Sequence, residues 1–511
     1  MNFGYAMMKK TSLVFLLASA FVIRVCAGEQ KSSPSAQDLL HSAINAMGGE
    51  AALRGIRSVQ FKALEQRNAL EQSERPEGPY VVESSEISEA RDFAGGRWRR
   101  AIKSQFAWMK ASQVTIMADG VAAKSVDEHF MPGAPQDLVD AEEALELSPE
   151  HILLTAQGSS DLRPMPDTVI HAVREQVLQF TWKNLPVTIF LNADTHLPTA
   201  VEWMRAYPHD MFWSVWGDVT TRVHYSFWWL TPGGIHYPLQ LDVVRNGLPD
   251  RTITISELRI NEVPDDNSFT IPADVQSTFK THPTLAPHER PLPATNAQEL
   301  APGIVFFRGA WNTTIVEQGD GIVVLEAPMS SGYSAQVIQE AEKRYPGKRI
   351  NAVISTSDSW PHIGGVREYV AAGIPVYVLD RTEPLLKRLV GAPRAEFPDA
   401  LAKSPRQATF ISVSGKTSIG SGPNRIEIYP IHGQTTERQM MVYFPEQKLL
   451  YGSDAFQKTP DGQYFYPQTM LEVRDAVARE HLTVERFFMM HMGVTPWRDV
   501  LEAHGGNIPS S

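Results

Sequence analysis

The sequence predicts an α+β protein of two unlike halves, a β-rich N-terminal half and a C-terminal αββα sandwich. Three observations lead there. From Val59 to about Ile271, aromatic and β-branched residues recur in short, often alternating runs, the pattern of strands with one face buried. From Ile304 onward, strands alternate with helices after an initial series of hairpins, an order that layers helices outside sheets. Between the two, Thr278–Asn296 carries Pro283, Pro287, Pro291 and Pro293 with little apolar content, and reads as a semi-rigid linker.

The chain, at 511 residues, is too long for one core and implies at least two domains. A formal charge of −11 excludes nucleic acid and anionic lipid surfaces as electrostatic partners. At the N-terminus, Lys9 and Lys10 precede an apolar stretch, Thr11–Ile23, too short for a comfortable membrane span. Val25-Cys26-Ala27 then offers small residues for signal peptidase. Residues 1–27 therefore read as an export signal with cleavage after Ala27. The remaining chain from Gly28 has no cysteine, which suits a bacterial periplasm. No later apolar run approaches the length of a membrane span.

The elements follow in order. Leu39, Leu40, Ala43, Ile44 and Met47 recur at helical spacing, so a helix is expected near residues 35–47, stopped by Gly48-Gly49. A short helix, Glu50–Gly55, follows. Strands are expected at Phe180–Trp182, Val187–Leu191, Val219–Trp229, Tyr237–Val244 and Thr252–Ile260, with turns at Pro232-Gly233-Gly234 and Asn246-Gly247. In the C-terminal half, Ile304–Arg308, Thr313–Glu317 and Ile322–Glu326 are short strands and Ser334–Tyr345 a helix. The strand Ile350–Ile354 leads through a polar turn to His362, and Gly364-Gly365 opens a helix at Val366–Ala372. The strand Val376–Leu379 comes next. The helix Met470–His481 turns Met470, Val473 and Val477 inward and Glu472, Asp475 and Arg479 outward.

Two resemblances organise these pieces. Residues 28–277, with Gly48-Gly49, Gly234-x-x-Tyr237-Pro238, and Asn261 followed by Asp265, Asp266, Phe269 and Pro272, resemble the half-barrel of periplasmic lipoprotein carriers. In that family a concave apolar face holds acyl chains. Phe212, Trp213, Trp216, Phe227, Trp228 and Trp229 are the aromatics available to such a face, or to the core of a curved sheet.

Residues 297–511 resemble the metallo-β-lactamase superfamily. Its Thr-His-x-His-x-Asp-His-x-Gly-Gly pattern falls on Thr356–Gly365, where Thr356, His362, Gly364 and Gly365 match. Ser357 and Ser359 replace two zinc histidines, and Pro361 replaces the aspartate. The third histidine of the same metal falls on Thr435, with His432 three residues earlier as the one stand-in a loop shift could deliver. The second metal fares better. His362 is in place, Asp454 follows Gly452-Ser453 as the family's bridging aspartate, and His491 before Met492-Gly493 resembles its C-terminal histidine.

The resemblance thus implies one metal held by His362, Asp454 and His491, with Asp358 in the same turn available as a fourth ligand. Two histidines and a carboxylate suit a single catalytic zinc, or non-haem iron. Two functions follow: an exported hydrolase with a reduced, mononuclear site, or a non-catalytic relative whose N-terminal half binds an apolar small molecule or lipidated partner. Tyr464-Phe465-Tyr466 is a candidate pocket wall.

Overall fold

The computed structural model describes residues 34–72, 77–106, 109–458, 462, 464 and 467–502. The signal-peptide reading of residues 1–27 lies outside them. No helix among the described residues is long and apolar enough to cross a membrane.

The N-terminal half is built on a 13-stranded sheet in which all neighbouring strands run antiparallel. Its first strand, Ser58–Asn68, lies between Val82–Asp92 on one side and the last strand, Leu248–Ile260, at the centre of the sheet, on the other. Chain return to the starting strand is what leaves the two meanders to grow outward. They end at His129–Pro132 and Arg163–Ile170. The Asn246-Gly247 turn behaves as its sequence demands: both residues have positive φ, 48° and 78°, and the flanking strands pair antiparallel.

The helix Ala36–Met47 is capped by Ser35, whose hydroxyl accepts from the Asp38 amide. It presses Leu40, Ile44 and Met47 against Phe180, Ile189 and Tyr237 of the sheet. Gly48 ends it at φ 127°, and a Cβ there would sit 2.6 Å from the Gly234 carbonyl oxygen. The two glycine motifs of the sequence are therefore one contact.

Two helices break the expected run of strands: Pro135–Glu146 and Ile152–Gln157. The first starts with proline at its first turn and turns Ala141 and Leu145, four apart, onto Trp98 and Met117 of the sheet.

The C-terminal half has two sheets. One of seven strands begins with the antiparallel series Ala297–Ala301 to Ile322–Leu325. It continues in parallel through Ile350–Ser355, Val376–Leu379 and Phe410–Val413. One of six runs from Thr417–Ile419 to Thr495–Pro496. Phe306, Leu325 and Ile354 of the first meet Ile428, Val442 and Phe488 of the second in a shared core. Helices Ser331–Arg344, Val366–Ala372 and Glu383–Val390 pack on the first sheet, and Pro467–Arg479 on the second.

The halves are not separate beads. Trp213 and Trp216, from the N-terminal half, enter the same core cluster as Trp360, Ile363 and Leu386. Their rings meet Trp360 edge-on at 4.9 and 5.1 Å between centroids. Around them Asp218 accepts from the Ala395 and Glu396 amides at 2.6 and 3.2 Å, and Glu396 accepts from the Ala206 amide at 2.6 Å. Trp216 therefore belongs to this shared core rather than to an N-terminal concave face, while Trp213 sits in the shared core and also lines a cavity on the N-terminal sheet. Phe227, by contrast, is 71% exposed at a left-handed φ of 54° within its strand, and Trp229 is exposed two residues on.

The proline-rich stretch is likewise no free spacer. The helix Ala273–Thr281 runs into it, Ala286 and Leu292 are buried, and Gln336 accepts from the Leu292 amide while donating to the Arg290 carbonyl. It straps the helix Ser331–Arg344.

Candidate metal centre

The site forms where loops leave the facing sheets. The strand Ile350–Ser355 delivers a turn that ends in the short helix Trp360–Ile363. Gly364 and Gly365 follow because nothing larger fits: a Cβ would lie 2.4 Å from the Met329 carbonyl oxygen at one and 2.0 Å from the Ser334 hydroxyl at the other. This close packing fixes His362, which is 1% exposed. The strand Leu449–Tyr451 delivers Asp454, and Arg486–Phe488 delivers His491.

The structure brings these three together, with one ligand atom from each lying within 4.8 Å of the others. His362 Nε2 is 3.5 Å from Asp454 Oδ2, and His491 Nε2 is 3.3 Å from Asp454 Oδ1. The imidazole centroids are 5.5 Å apart.

The electrostatics suit metal ligation. Burial pushes the His362 imidazole down to about 4 against the pull of Asp454, so it is neutral at pH 7. Burial opposes the Asp454 charge, but His362 and His491 outweigh it and hold its carboxyl below the usual range. Burial opposes the His491 charge as well, but Asp454 raises its imidazole above the ordinary value. His491 Nδ1 lies 2.8 Å from the Ala310 carbonyl oxygen; since a carbonyl only accepts, Nδ1 carries the proton and Nε2 keeps its lone pair toward the site when neutral. Gln457 donates to Asp454 Oδ1 at 2.7 Å, and Trp311 stands edge-on to His491.

The donor set fits a divalent ion. Ligands about 2.0–2.1 Å from a tetrahedral zinc lie about 3.4 Å from one another, close to both contacts made by Asp454. The buried His362 Nδ1 has no hydrogen-bond partner among the described residues, so its orientation rests on packing alone.

Asp358 stands elsewhere. It is fully buried and outside the three-residue group, with Oδ2 3.8 Å from Arg438 Nε. Burial holds its carboxyl well above the usual range against the pull of Arg438. His432 is also outside the group, exposed and left-handed at φ 60°.

Ser357 and Thr435, two of the positions where the sequence resemblance places histidines, are tied into local hydrogen bonds. Ser357 Oγ accepts from the Ser359 amide at 3.1 Å. The amides of Gln434, Thr435 and Thr436 and both threonine hydroxyls converge on the Glu472 carboxylate at 2.7–3.1 Å. Glu472, expected to face outward, is instead 8% exposed, because the loop needs a five-fold acceptor more than the helix needs a solvated face. Glu472→Ala should cost about 2–3 kcal/mol in urea unfolding, since the amides lose a charged acceptor.

Glu326 was not singled out in the sequence, although a carboxylate ending the apolar run Ile322–Leu325 is a signal. It is buried and left-handed at φ 75°, and it accepts from the Thr356 hydroxyl, which in turn lies 2.8 Å from Ser453 Oγ. Burial pushes its carboxyl up to about 7. A raised acid binds its proton more tightly when folded, so the stability it confers is full below the ordinary 4.5 and is lost as pH rises through about 7. Glu326→Gln, which cannot ionise, should therefore gain stability over the parent between pH 5 and 8, on the order of 2–3 kcal/mol by urea titration in chelator. Tyr464 is half-buried against Phe456, while Phe465 and Tyr466 lie outside the described residues.

The sequence matches no protein-family model and no curated protein. Solved structures do resemble it over 40% of its length. The sec-alkylsulfatase Pisa1 from Pseudomonas sp. is 17% identical with a TM-score of 0.31, and the match spans 40% of that enzyme. The DIM-1 metallo-beta-lactamase is 14% identical, with 92% of its chain covered and a TM-score of 0.32. The FIM-1 metallo-beta-lactamase from Pseudomonas aeruginosa, solved in a mono-zinc form, is 18% identical, with 91% covered and a TM-score of 0.31.

Proposed function

We propose that the C-terminal half is a metallo-β-lactamase-like αββα hydrolase domain that works with one metal ion, held by His362, Asp454 and His491. The observation that carries this reading is the convergence of those three side chains at 3.3–3.5 Å from three separate loops. Such an ion, zinc or iron, supplies Lewis acidity toward water and a substrate oxygen when bound.

The chain's own residues do the rest. Asp454 is held ionised between two imidazoles and braced by Gln457. His491 is locked into one tautomer by the Ala310 carbonyl and flanked by Trp311. The corner that would serve a second ion is closed by Ser357, Ser359 and the Glu472 carboxylate, which supports a mononuclear site. In the same reading the chain is exported and processed near Ala27. The N-terminal sheet, with helix Ala36–Met47 against it, is a half-barrel fused to the hydrolase domain.

Elemental analysis of the chain from Gly28, purified without chelator or metal-affinity tag, tests this. About one zinc or iron per chain is expected. No metal, even after incubation with excess zinc, would remove the reading.

A further inference from the structure

The N-terminal half holds a second space, lined entirely by its own residues. It is a cavity of about 440 Å³ between the sheet and the helix Pro135–Glu146, within the size range of small-molecule sites. Trp203, Phe212, Trp213 and Tyr225 supply aromatic wall. Aliphatic side chains such as Leu147, Leu241 and Ile253 line it too, but charged groups are interleaved with them, and an acyl chain filling the space would strip water from ionised groups without replacing it.

Most of those charges are neutralised in place. Arg91 pairs with Glu89 and Glu150 at 2.8 and 2.9 Å, Arg100 with Glu65 at 2.6 Å, Arg251 with Asp250 at 2.7 Å, and Lys124 with Asp137 at 3.0 Å. Glu143 accepts from Trp203, Tyr207 and Arg205, and Asp210 from the Phe212 and Trp213 amides.

Two lining groups of opposite sign stay open. The Arg245 guanidinium lies over the rings of Tyr207 and Trp213, 5.0 and 5.2 Å from their centroids, and makes no ion pair or hydrogen bond among the described residues. Asp140 accepts one hydrogen bond, from Gln136 at 2.9 Å, and forms no ion pair. A lone anion or a lone cation would satisfy one of these half-buried groups and leave the other unpaired beside it. A ligand carrying both signs satisfies both.

We propose that this cavity binds a zwitterion of the amino-acid class, an α-amino acid or short peptide with free ends. Its carboxylate sits on Arg245, its ammonium on Asp140, and its side chain against the tryptophan rings. Guanidinium matches carboxylate geometry two-pronged, and both ends make charge-assisted hydrogen bonds.

The test incubates the chain from Gly28 with a mixture of dipeptides spanning all side-chain classes, and identifies what ultrafiltration retains by mass spectrometry. Parallel mixtures are blocked by N-acetylation or C-amidation, and sodium dodecanoate serves as the apolar probe. Free-ended dipeptides should be retained, and each blocking step should weaken retention about tenfold or more. Arg245→Met and Asp140→Asn should each abolish it without changing the metal content. The blocked mixtures need no variant, so a misfolded variant does not spare the idea. No retention, retention indifferent to blocking, or displacement by dodecanoate would overturn it.

Discussion

His362→Ala and His491→Ala each lose the metal, while Ser357→Ala keeps it. The expectation follows from what each side chain touches. His362 and His491 flank the Asp454 carboxylate at 3.5 and 3.3 Å and are two of the three donors of the proposed site. Removing groups that merely orient a ligand costs about 10- to 100-fold in metal affinity, so removing a ligand should cost at least about 100-fold. Ser357 only accepts a hydrogen bond within its own turn, and its methyl replacement leaves the donor set intact. Zinc titration against a chromophoric chelator measures all three.

The pH dependence has a defined sign. His362 is already neutral down to about pH 4, so it offers a ready lone pair. His491, raised by Asp454, must give up its proton to ligate, and affinity should fall as pH drops through the titration of His491. Equal zinc affinity in the parent, His362→Ala and Ser357→Ala would sink the site.

These three residues were legible in the sequence because a motif carries them. Each stands two residues from a glycine, in the segment that follows an apolar strand. Asp358 shares the same turn, yet local spacing does not reveal where a side chain points. Its carboxylate faces Arg438, eighty residues away in the chain. Glu472 failed for a related reason. Helical periodicity assigns faces by hydropathy, and this helix meets a loop whose bare amides reward a carboxylate more than an apolar group.

The strands of the N-terminal half were legible where alternation and turn chemistry agreed, as at Asn246-Gly247. The helix Pro135–Glu146 was missed although Pro135 and the spacing of Leu138, Ala141 and Leu145 signal it. The larger omission was long-range. Nothing local in Phe212–Val219 says that its tryptophans belong to the core of the other half. The turn that presents His362 is therefore built partly by residues nearly 150 positions earlier, and the Trp360 amide also donates to the Glu71 carbonyl at 3.3 Å.

That arrangement makes Trp360 the residue on which site and interface jointly depend. It is 1% exposed and wedged between Trp213 and Trp216, two positions before His362. Trp360→Ala should cost about 3–5 kcal/mol, combining lost transfer free energy with the cavity left between the Trp213 and Trp216 rings, which also carry the Arg245 and Arg388 guanidiniums. Trp229→Ala, at a solvated rim, should stay within about 0.5 kcal/mol. The parent should unfold in urea as one cooperative unit, because its halves share a core. Trp360→Ala should separate that transition into two and weaken zinc binding, since Pro361 and His362 lose the wall behind them. A variant that keeps the parent's single transition and zinc affinity would show that the tryptophan cluster neither joins the halves nor supports the site.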